Sequence, residues 1–219
     1  DGHFSSPLVI RINFGFGQLA ATHSQNFDSW FAYVPGLKVV APSTPYDAKG
    51  LLKASIRDMD PVIFLEHGAL YNVRGEVPEE DYEVPIGRAE VKREGSDVTI
   101  IAWARMLQVS LRAAEALDAE GIDCEVVDLR SLRPIDSETI LESFRKTNRA
   151  VVAEEAWKTC GMGAEIAARL QEEGFDYLDA PIARVAAPEV PLPYARELER
   201  AAIPNEADVI RAVKELLGR

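Results

Sequence analysis

The stretch VTIIAWARMLQVSLRAAEALDAEGIDCEVVDL, residues 98–129, carries the pattern that decides the fold class. It begins and ends with short apolar runs rich in Val and Ile, residues 98–102 and 124–129, which predict buried strands. Between them, residues 106–120 repeat their apolar side chains every three or four positions, which predicts an amphipathic helix that ends at Gly121. A strand, a helix and a second strand in this order are typical of parallel α/β layers.

The same alternation extends through most of the chain. Further strands are predicted at residues 7–12, 37–41, 62–66, 150–153 and 182–186. Three more helices have recognisable starts, with Thr44 before Pro45, Asp136 before residues 137–146, and Asn205 before residues 206–217. These cap residues are favoured because their side chains accept hydrogen bonds from unpaired amides of the first turn. The sequence therefore predicts an α/β fold with mostly parallel sheets.

The stretch 67–95 interrupts the alternation and divides the chain. It is rich in Gly, Pro and acidic residues without a helical period, which is typical of an exposed linker, and it contains one possible short strand at residues 89–92. We therefore expect a first domain over residues 1–75, a linker over 76–95 and a second α/β domain over 96–219. The first part has too few predicted strands to cover both faces of a sheet. Either another chain completes that sheet, or further residues precede Asp1.

The overall composition is that of a globular protein with an acidic surface. Of the 219 residues, 47% are hydrophobic and 27% are charged, which excludes extended disorder. The 36 acidic against 24 basic residues give a net charge of −12, which argues against nucleic acid and anionic membranes as partners. No apolar run approaches the roughly 18–20 residues of a membrane helix, and no signal or transit segment is visible.

The cysteines and most of the histidines form no recognisable pattern. Cys124 and Cys160 are not spaced as a CxxC pair, so we expect no disulfide framework, and Cys124 is predicted to be buried within an apolar run. The three histidines lack the spacing of zinc ligands. His3 and His67 are interpreted as structural residues.

The stretch RINFGFGQLAATHSQ, residues 11–25, is the first candidate site. The motif Gly15-x-Gly17 permits close approach of a ligand to the backbone, but the third glycine of a dinucleotide fingerprint is absent. His23 is followed by Ser24 and Gln25, and a histidine that titrates near neutral pH can shuttle a proton or stabilise an oxyanion. A purely structural turn is the alternative. A serine hydrolase is disfavoured because no GxSxG motif is present.

Two features of the second half are also candidates. Glu154 and Glu155 follow a predicted strand, at the end where α/β sheets place ligands, although solvent or salt bridges would satisfy them equally. Residues 161–164 open a helix whose amides can hold an anion. Tight packing of the helix against its strand is the favoured alternative.

Several ordered motifs resemble the beta subunit of the decarboxylating component of 2-oxo acid dehydrogenase complexes. They are HSQN at 23–26, VPGLKVVAP at 34–42, YDAKGLL at 46–52, IRD at 56–58, PVIFLE at 61–66, DLRSLRPID at 128–136 and PLPYA at 191–195. The resemblance extends over nearly the whole chain. Residues 161–166 and 179–181 are more similar to pyruvate-specific than to branched-chain members. The resemblance implies a transketolase-like fold, with part of a pyrimidine-binding domain followed by a transketolase C-terminal domain.

The resemblance also implies an enzyme that uses thiamine diphosphate. In this family an alpha subunit holds the diphosphate and Mg²⁺ within an α₂β₂ assembly. The acyl group passes to a lipoyl domain of an acyltransferase component, whose subunit-binding domain docks on the beta subunit. His23 matches the family's active-site histidine, which positions or protonates the lipoyl dithiolane. The thiamine-activating glutamate is expected in sequence before Asp1, and the loop before His23 lacks the family's proline and is one residue shorter.

Some members of the family bind a structural K⁺. The matching positions here are Leu8, Ser55, Ile56, Asp58 and Asp60, whose oxygen atoms suit a hard cation, and a polar helix end without an ion is the alternative.

Other readings remain open. Branched-chain 2-oxo acid and acetoin dehydrogenase subunits are alternatives to a pyruvate dehydrogenase. A non-catalytic fragment that only pairs with the alpha subunit and docks the acyltransferase is the alternative outside catalysis. We expect the protein in the bacterial cytoplasm, or in the mitochondrial matrix if its source is eukaryotic.

Overall fold

A computed structural model gives the fold, and it describes residues 5–17 and 20–219. The strands are β1 (Val9–Phe14), β2 (Lys38–Val40), β3 (Val62–His67), β4 (Glu90–Arg93), β5 (Val98–Ala102), β6 (Cys124–Asp128), β7 (Ser131–Arg133), β8 (Ala150–Trp157) and β9 (Ala183–Ala187). The α-helices are α1 (Ala20–His23), α2 (Asp28–Ala32), α3 (Pro45–Arg57), α4 (Arg105–Asp118), α5 (Ser137–Thr147), α6 (Met162–Gly174), α7 (Arg196–Ala202) and α8 (Glu206–Leu216). Short 3₁₀ turns cover Gly68–Leu70 and Phe175–Tyr177.

The strands form two sheets that are mostly parallel. The first has the order β1-β3-β2-β7 and the second the order β4-β6-β5-β8-β9. Only β7 on β2 and β4 on β6 run antiparallel among the described strands. The parallel strands β5 and β6 are buried at every position, as expected for strands covered by helices on both faces. This confirms the predicted α/β class.

Several predicted boundaries differ from the observed ones. Strand β1 runs over Val9–Phe14 rather than 7–12 because it stays in register with β3, from Val9 opposite Val62 to Phe14 opposite His67. Strand β8 continues to Trp157 because its register with β9 extends to that residue. Helices α2 and α7 were not predicted, since each is only one or two turns long.

The predicted helix starts are confirmed. Thr44 accepts a hydrogen bond from the Asp47 amide at 3.1 Å, and Asp136 accepts one from the Thr139 amide at 3.2 Å. Asn205 forms a reciprocal capping box with its third helical residue. Because each cap satisfies an amide that the helix leaves unpaired, these local sequence signals are reliable markers of the helix starts.

The segment after β3 is ordered along α3. Residues 71–83 are mostly exposed, as predicted for a linker, yet Lys49 donates to the carbonyl oxygens of Pro78 and Glu80. The ring of Tyr82 stacks on that of Tyr46 with centroids 4.5 Å apart. These contacts hold the connecting segment against α3.

Strand β7 joins the two halves of the chain. It comes from sequence that we assigned to the second domain, but it pairs with β2 of the first sheet. The adjoining Arg130 carbonyl accepts a hydrogen bond from the Ala41 amide at 2.8 Å. A shared apolar cluster lies at the same boundary and includes Leu65 from β3 together with Ile101 and Leu129. The two sheets are therefore packed on one continuous core.

Candidate active site

His23 lies on a loop that leaves the carboxyl end of β1. The loop is closed at its base, since the Gly15 amide donates to the Gln25 carbonyl oxygen at 2.9 Å. His23 is the last residue of α1 and its side chain is exposed, whereas the next residue, Ser24, is buried. The loop therefore presents the imidazole at the surface from a closed base.

Glu155 of β8 lies beneath this loop. Its Oε1 atom accepts the Phe16 amide at 3.0 Å and lies 2.9 Å from His67 Nε2. Its Oε2 atom accepts from Arg105 Nη1 at 3.1 Å. The side chains of Glu155 and His67 are both almost completely buried. One carboxylate thus joins the loop, the end of β3 and the start of α4.

The surroundings of Glu155 favour its ionised form. Burial alone would raise the pKa of this carboxyl, but the combined attraction and hydrogen bonds of His67, Arg105 and the Phe16 amide lower it. His67 Nδ1 accepts the Ala69 amide at 3.2 Å, so the ring proton belongs on Nε2, facing Glu155. The buried carboxylate is therefore paired and fully oriented.

The two glycines of the Gly15-x-Gly17 motif serve this packing. Gly15 has a φ of +88°, and a β-carbon there would collide with the His67 ring. The Gly17 amide donates to Glu199 Oε1 at 3.2 Å. The amides that a phosphate would use are therefore occupied by carboxylates of the protein itself, which removes the dinucleotide interpretation of this motif.

The neighbouring Glu154 faces the opposite side of β8. Its carboxylate accepts the Gly163 amide at 3.0 Å and pairs with Arg184 at 3.1 Å. Burial, with the nearby Asp28 carboxyl, raises the pKa of Glu154 to about 7. A β-carbon at Gly163 would collide with this carboxylate. The start of α6 is therefore packed tightly against β8, with the Glu154 carboxyl at its first amides, which agrees with the favoured packing alternative.

A second buried polar cluster lies between the two sheets, next to the start of β7. Asp128 accepts the Ser43 hydroxyl at 2.8 Å, and Arg130 Nη1 lies 3.1 Å from Asp47 Oδ1. Lys92 Nζ is 3.2 Å from the other oxygen of Asp47. Burial and the Asp47 charge raise the pKa of Asp128 to about 7. We assign this cluster a structural role because it lies in the contact between the sheets.

The residues expected to hold K⁺ lie close together but are already engaged. Lys38 Nζ lies 2.7 Å from Asp58 Oδ2 and 3.1 Å from Asp60 Oδ2. The Leu8 carbonyl accepts the Val62 amide at 2.8 Å, and the Ser55 carbonyl accepts the Asp58 amide at 3.3 Å. The two carboxylates therefore do not fit as free ligands, while each carbonyl keeps a second lone pair for a cation. Ile56, the remaining member of the set, is exposed.

The remaining predicted groups were found as follows. Cys124 is buried and Cys160 exposed, and both are free thiols. His3 lies outside the described residues. Within residues 5–17 and 20–219, no group of three or more His, Cys, Asp or Glu side chains is placed to hold a metal ion. Across the same residues, no helix combines the length and apolarity needed to span a membrane.

Sequence reasoning singled out Glu155 and His67 separately but missed their contact. The two residues are 88 positions apart, and their meeting depends on how β8 and β3 face each other across the two sheets. One signal was available, since a charged residue that continues a buried strand needs an ionic or hydrogen-bonding partner. The sequence does not say which one.

Comparison with known proteins agrees with this architecture. The transketolase pyrimidine-binding domain matches residues 2–74, and the transketolase C-terminal domain matches residues 87–209. The chain is 49% identical to the pyruvate dehydrogenase E1 component subunit beta-2, mitochondrial, of Oryza sativa subsp. japonica, over 100% of the chain and 59% of that protein. It is 45% identical to the acetoin:2,6-dichlorophenolindophenol oxidoreductase subunit beta of Bacillus subtilis, over 99% of the chain and 64% of that protein.

A solved structure is also similar. A split-gene transketolase described as an inactive beta4 tetramer superposes with a TM-score of 0.76 at 30% identity, covering 96% of this chain and 66% of that one. The fold and the two domain matches define a transketolase-type protein. Within that class, the chain belongs to the family of pyruvate dehydrogenase E1 component beta subunits. It spans about half to two thirds of the length of the relatives named pyruvate dehydrogenase.

Proposed function

We propose that this chain forms part of the beta subunit of a thiamine-dependent 2-oxo acid dehydrogenase that acts on pyruvate and transfers an acetyl group to a lipoyl domain. The observation that carries the proposal is the exposed His23 on a loop closed at its base, in a chain that belongs to this family. We assign residues 1–75 to the C-terminal part of the pyrimidine-binding domain, 76–95 to a linker and 96–219 to the transketolase C-terminal domain.

His23 is the residue of this chain to which we assign a chemical step. Transfer of the acyl group to one sulfur of the lipoyl disulfide breaks the S–S bond. The electron pair comes from the decarboxylated substrate carbon, which is oxidised to the acyl level, and the other sulfur leaves as a thiolate that takes a proton. A protonated imidazole can donate a proton, and the His23 side chain is exposed, so the ring can meet a lipoyl arm that enters from solvent. His23 therefore acts as the proton donor that converts the leaving sulfur to a thiol.

Thiamine diphosphate would supply the carbon nucleophile that attacks the 2-oxo acid and permits loss of CO₂. In the part of the chain that the structure describes, no cluster of three or more His, Cys, Asp or Glu side chains could hold a metal ion, and none of these residues is assigned as the thiamine-activating glutamate. In line with the resemblance to the family, we place the diphosphate and Mg²⁺ on an alpha subunit. The contribution of this chain is the wall that carries His23.

The exposed apolar residues support assembly with an alpha subunit. Leu8 and Ile10 are exposed just before and on β1, which forms one edge of the first sheet, and Trp30 and Tyr33 are exposed on and beside α2, which packs near β2 and β7 toward the other edge. Large apolar side chains at an unpaired strand edge are typical of a surface that a partner covers. We assign the exposed residues at β1 and those at α2 to separate contacts with alpha subunits in an α₂β₂ assembly, and the second domain to docking of the acyltransferase component.

We further propose that K⁺ binds the turn 56–60 through carbonyl oxygens. Lys38 neutralises Asp58 and Asp60, so the main chain rather than the carboxylates supplies the ligands. We propose the bacterial cytoplasm or the mitochondrial matrix as the compartment, because the similar proteins come from bacteria and from a mitochondrion.

Two alternatives have specific support. The Bacillus subtilis relative is named for acetoin and 2,6-dichlorophenolindophenol, which supports an acetoin dehydrogenase subunit. The similar solved structure is described as inactive, which supports a module that assembles without catalysis.

The test is reconstitution of the complete beta subunit with its alpha subunit. Pyruvate, branched-chain 2-oxo acids and acetoin are supplied separately, and acylation of an isolated lipoyl domain is measured by mass spectrometry. We expect acetylation with pyruvate to exceed acylation with the other substrates. A preference for acetoin would favour the first alternative, and assembly without any turnover would favour the second.

A further inference from the structure

The second half of the chain holds the base of the loop that carries His23. Phe16 and Gly17 donate their amides to Glu155 and Glu199, which lie on β8 and α7. Because the Gly15 amide is bonded to the Gln25 carbonyl oxygen, the contacts of residues 16 and 17 also support the point at which Gly15 meets Gln25. The second domain, to which no chemical step is assigned, is therefore in contact with the loop of the first domain that carries His23.

The side chain of Phe16 is held in the same place. The Arg105 guanidinium lies 4.7 Å from the Phe16 ring centroid, and the His67 ring lies edge-on to it at 5.5 Å. The ring also packs against an apolar cluster formed by Leu192, Ala202 and Ile203. A cation over an aromatic face is attracted to the ring, which adds to the hold on Phe16. Backbone and side chain of this residue are thus fixed by neighbouring groups.

Glu155 contacts each of the other polar groups in this arrangement. Its two oxygens accept from Phe16, His67 and Arg105, and no water or ligand is needed to satisfy it. Loss of the carboxylate would leave the Phe16 amide and the His67 Nε2 atom without this acceptor, while Arg105 would keep the Pro204 carbonyl oxygen at 3.1 Å and the Met106 sulfur. Donors left without an acceptor away from water destabilise the local structure, and loosening of the loop relieves that cost.

We infer that Glu155 is a positioning residue for His23, which fixes the base of the 15–25 loop so that the imidazole meets the lipoyl sulfur in one geometry. The inference rests on the proposed function of His23. Glu155 touches no reacting atom itself, and it acts only through the loop.

The experiment measures loop mobility and catalysis in the same preparation of the complete α₂β₂ enzyme. Hydrogen–deuterium exchange is followed for peptides covering residues 14–26, together with reductive acylation of a lipoyl domain and decarboxylation with an artificial electron acceptor. The variants are Glu155→Ala, Glu155→Gln and, as a matched control, Glu154→Gln, whose buried carboxylate contacts Gly163 and Arg184 on the other side of β8.

We expect Glu155→Ala to speed exchange in residues 14–26 and to lower reductive acylation by about 10–100-fold, since small misplacements of a reacting group are that costly. Decarboxylation with the artificial acceptor should change by less than about threefold, because His23 is assigned no part in it. Glu155→Gln should restore most of the acylation, because its amide oxygen still accepts from Phe16. Glu154→Gln should leave exchange in the loop unchanged.

Unchanged exchange in Glu155→Ala would overturn the inference whatever the activity shows. Faster exchange with normal acylation would also overturn it, provided that His23→Ala lowers acylation. If neither variant lowers acylation, the proposed role of His23 fails instead. Should Glu155→Ala not assemble, Glu155→Asp keeps the charge but withdraws the carboxylate from the Phe16 amide, and the same exchange result is expected of it.

Discussion

The Arg130 guanidinium lies 3.1 Å from the Asp47 carboxylate and 2.8 Å from that of Glu90, so one side chain links helix α3 to strand β4. Arg130 also donates to the carbonyl oxygens of Arg88 and Ala89. These contacts place a planar, permanently charged donor group at the boundary between the two sheets. The structure thus depends on an ion pair there as well as on apolar packing.

Removing this guanidinium should strongly destabilise the chain. Arg130→Met leaves Lys92 as the remaining cation, among the described residues, beside the buried Asp47 carboxylate. We therefore expect a loss of about 3 kcal/mol in the free energy of unfolding, measured by urea denaturation. Arg112→Met is the control, because Arg112 forms an exposed ion pair with Glu206 and should cost less than about 1 kcal/mol. Equal losses in the two variants would contradict the assignment of Arg130 to the sheet boundary.

Asp128 predicts a pH dependence of stability. Its carboxyl has a pKa of about 7 in the folded chain and an ordinary value of about 4 when unfolded. Between these values the folded state holds more protons than the unfolded state, so Asp128 makes stability fall as the pH rises from about 4 to 7. Asp128→Asn removes this titration. The Tm of the variant, compared with that of the unaltered protein, should therefore be more favourable at pH 8 than at pH 5. Thermal melts across this range test it, and identical pH profiles for the two proteins would contradict it.

Potassium should stabilise the turn at residues 56–60. An ion that binds only the folded state raises stability by about 2.7 kcal/mol at a concentration 100-fold above its Kd. We therefore expect a higher Tm in KCl than in tetramethylammonium chloride at equal ionic strength. Asp58→Asn should keep this difference, because its carboxylate pairs with Lys38 instead of the ion. Equal melting temperatures of the unaltered protein in both salts would show that the turn binds no K⁺.

Gly15 should tolerate no side chain. Gly15→Ala has to overcome both an unfavourable φ and a collision with the His67 ring, whereas Gly36→Ala, at a φ of +93°, meets nothing within 4 Å. We expect Gly36→Ala to cost about 1 kcal/mol and Gly15→Ala clearly more, with a lower Tm. If both substitutions lowered the Tm equally, the close packing of Gly15 on His67 would not matter for stability.

Local signals in the sequence predicted most elements of the fold. The limits of β5 and the caps Thr44, Asp136 and Asn205 were correct because each depends on residues within one element. Strand β7 was missed because its three residues pair with β2, some 90 positions earlier in the chain. No local pattern specifies such a partner.

The candidate site was predictable in part. The motif around His23 was visible, and the resemblance gave it a role that remains a prediction. The contact of Glu155 with His67 depends on the packing of two sheets, and the pairing of Lys38 with Asp58 depends on the turn that follows α3. Such long-range contacts satisfy buried or clustered charges, and the sequence shows only that partners are required.

The most direct test of the account is the effect of His23→Ala on two reactions of one α₂β₂ preparation. A positioned proton donor contributes about 10²–10⁴-fold, so reductive acylation of the lipoyl domain should fall by that order. Decarboxylation measured with an artificial electron acceptor should fall far less, since it requires no proton at a lipoyl sulfur. Equal losses in both reactions, or no loss in either, would contradict the role assigned to His23.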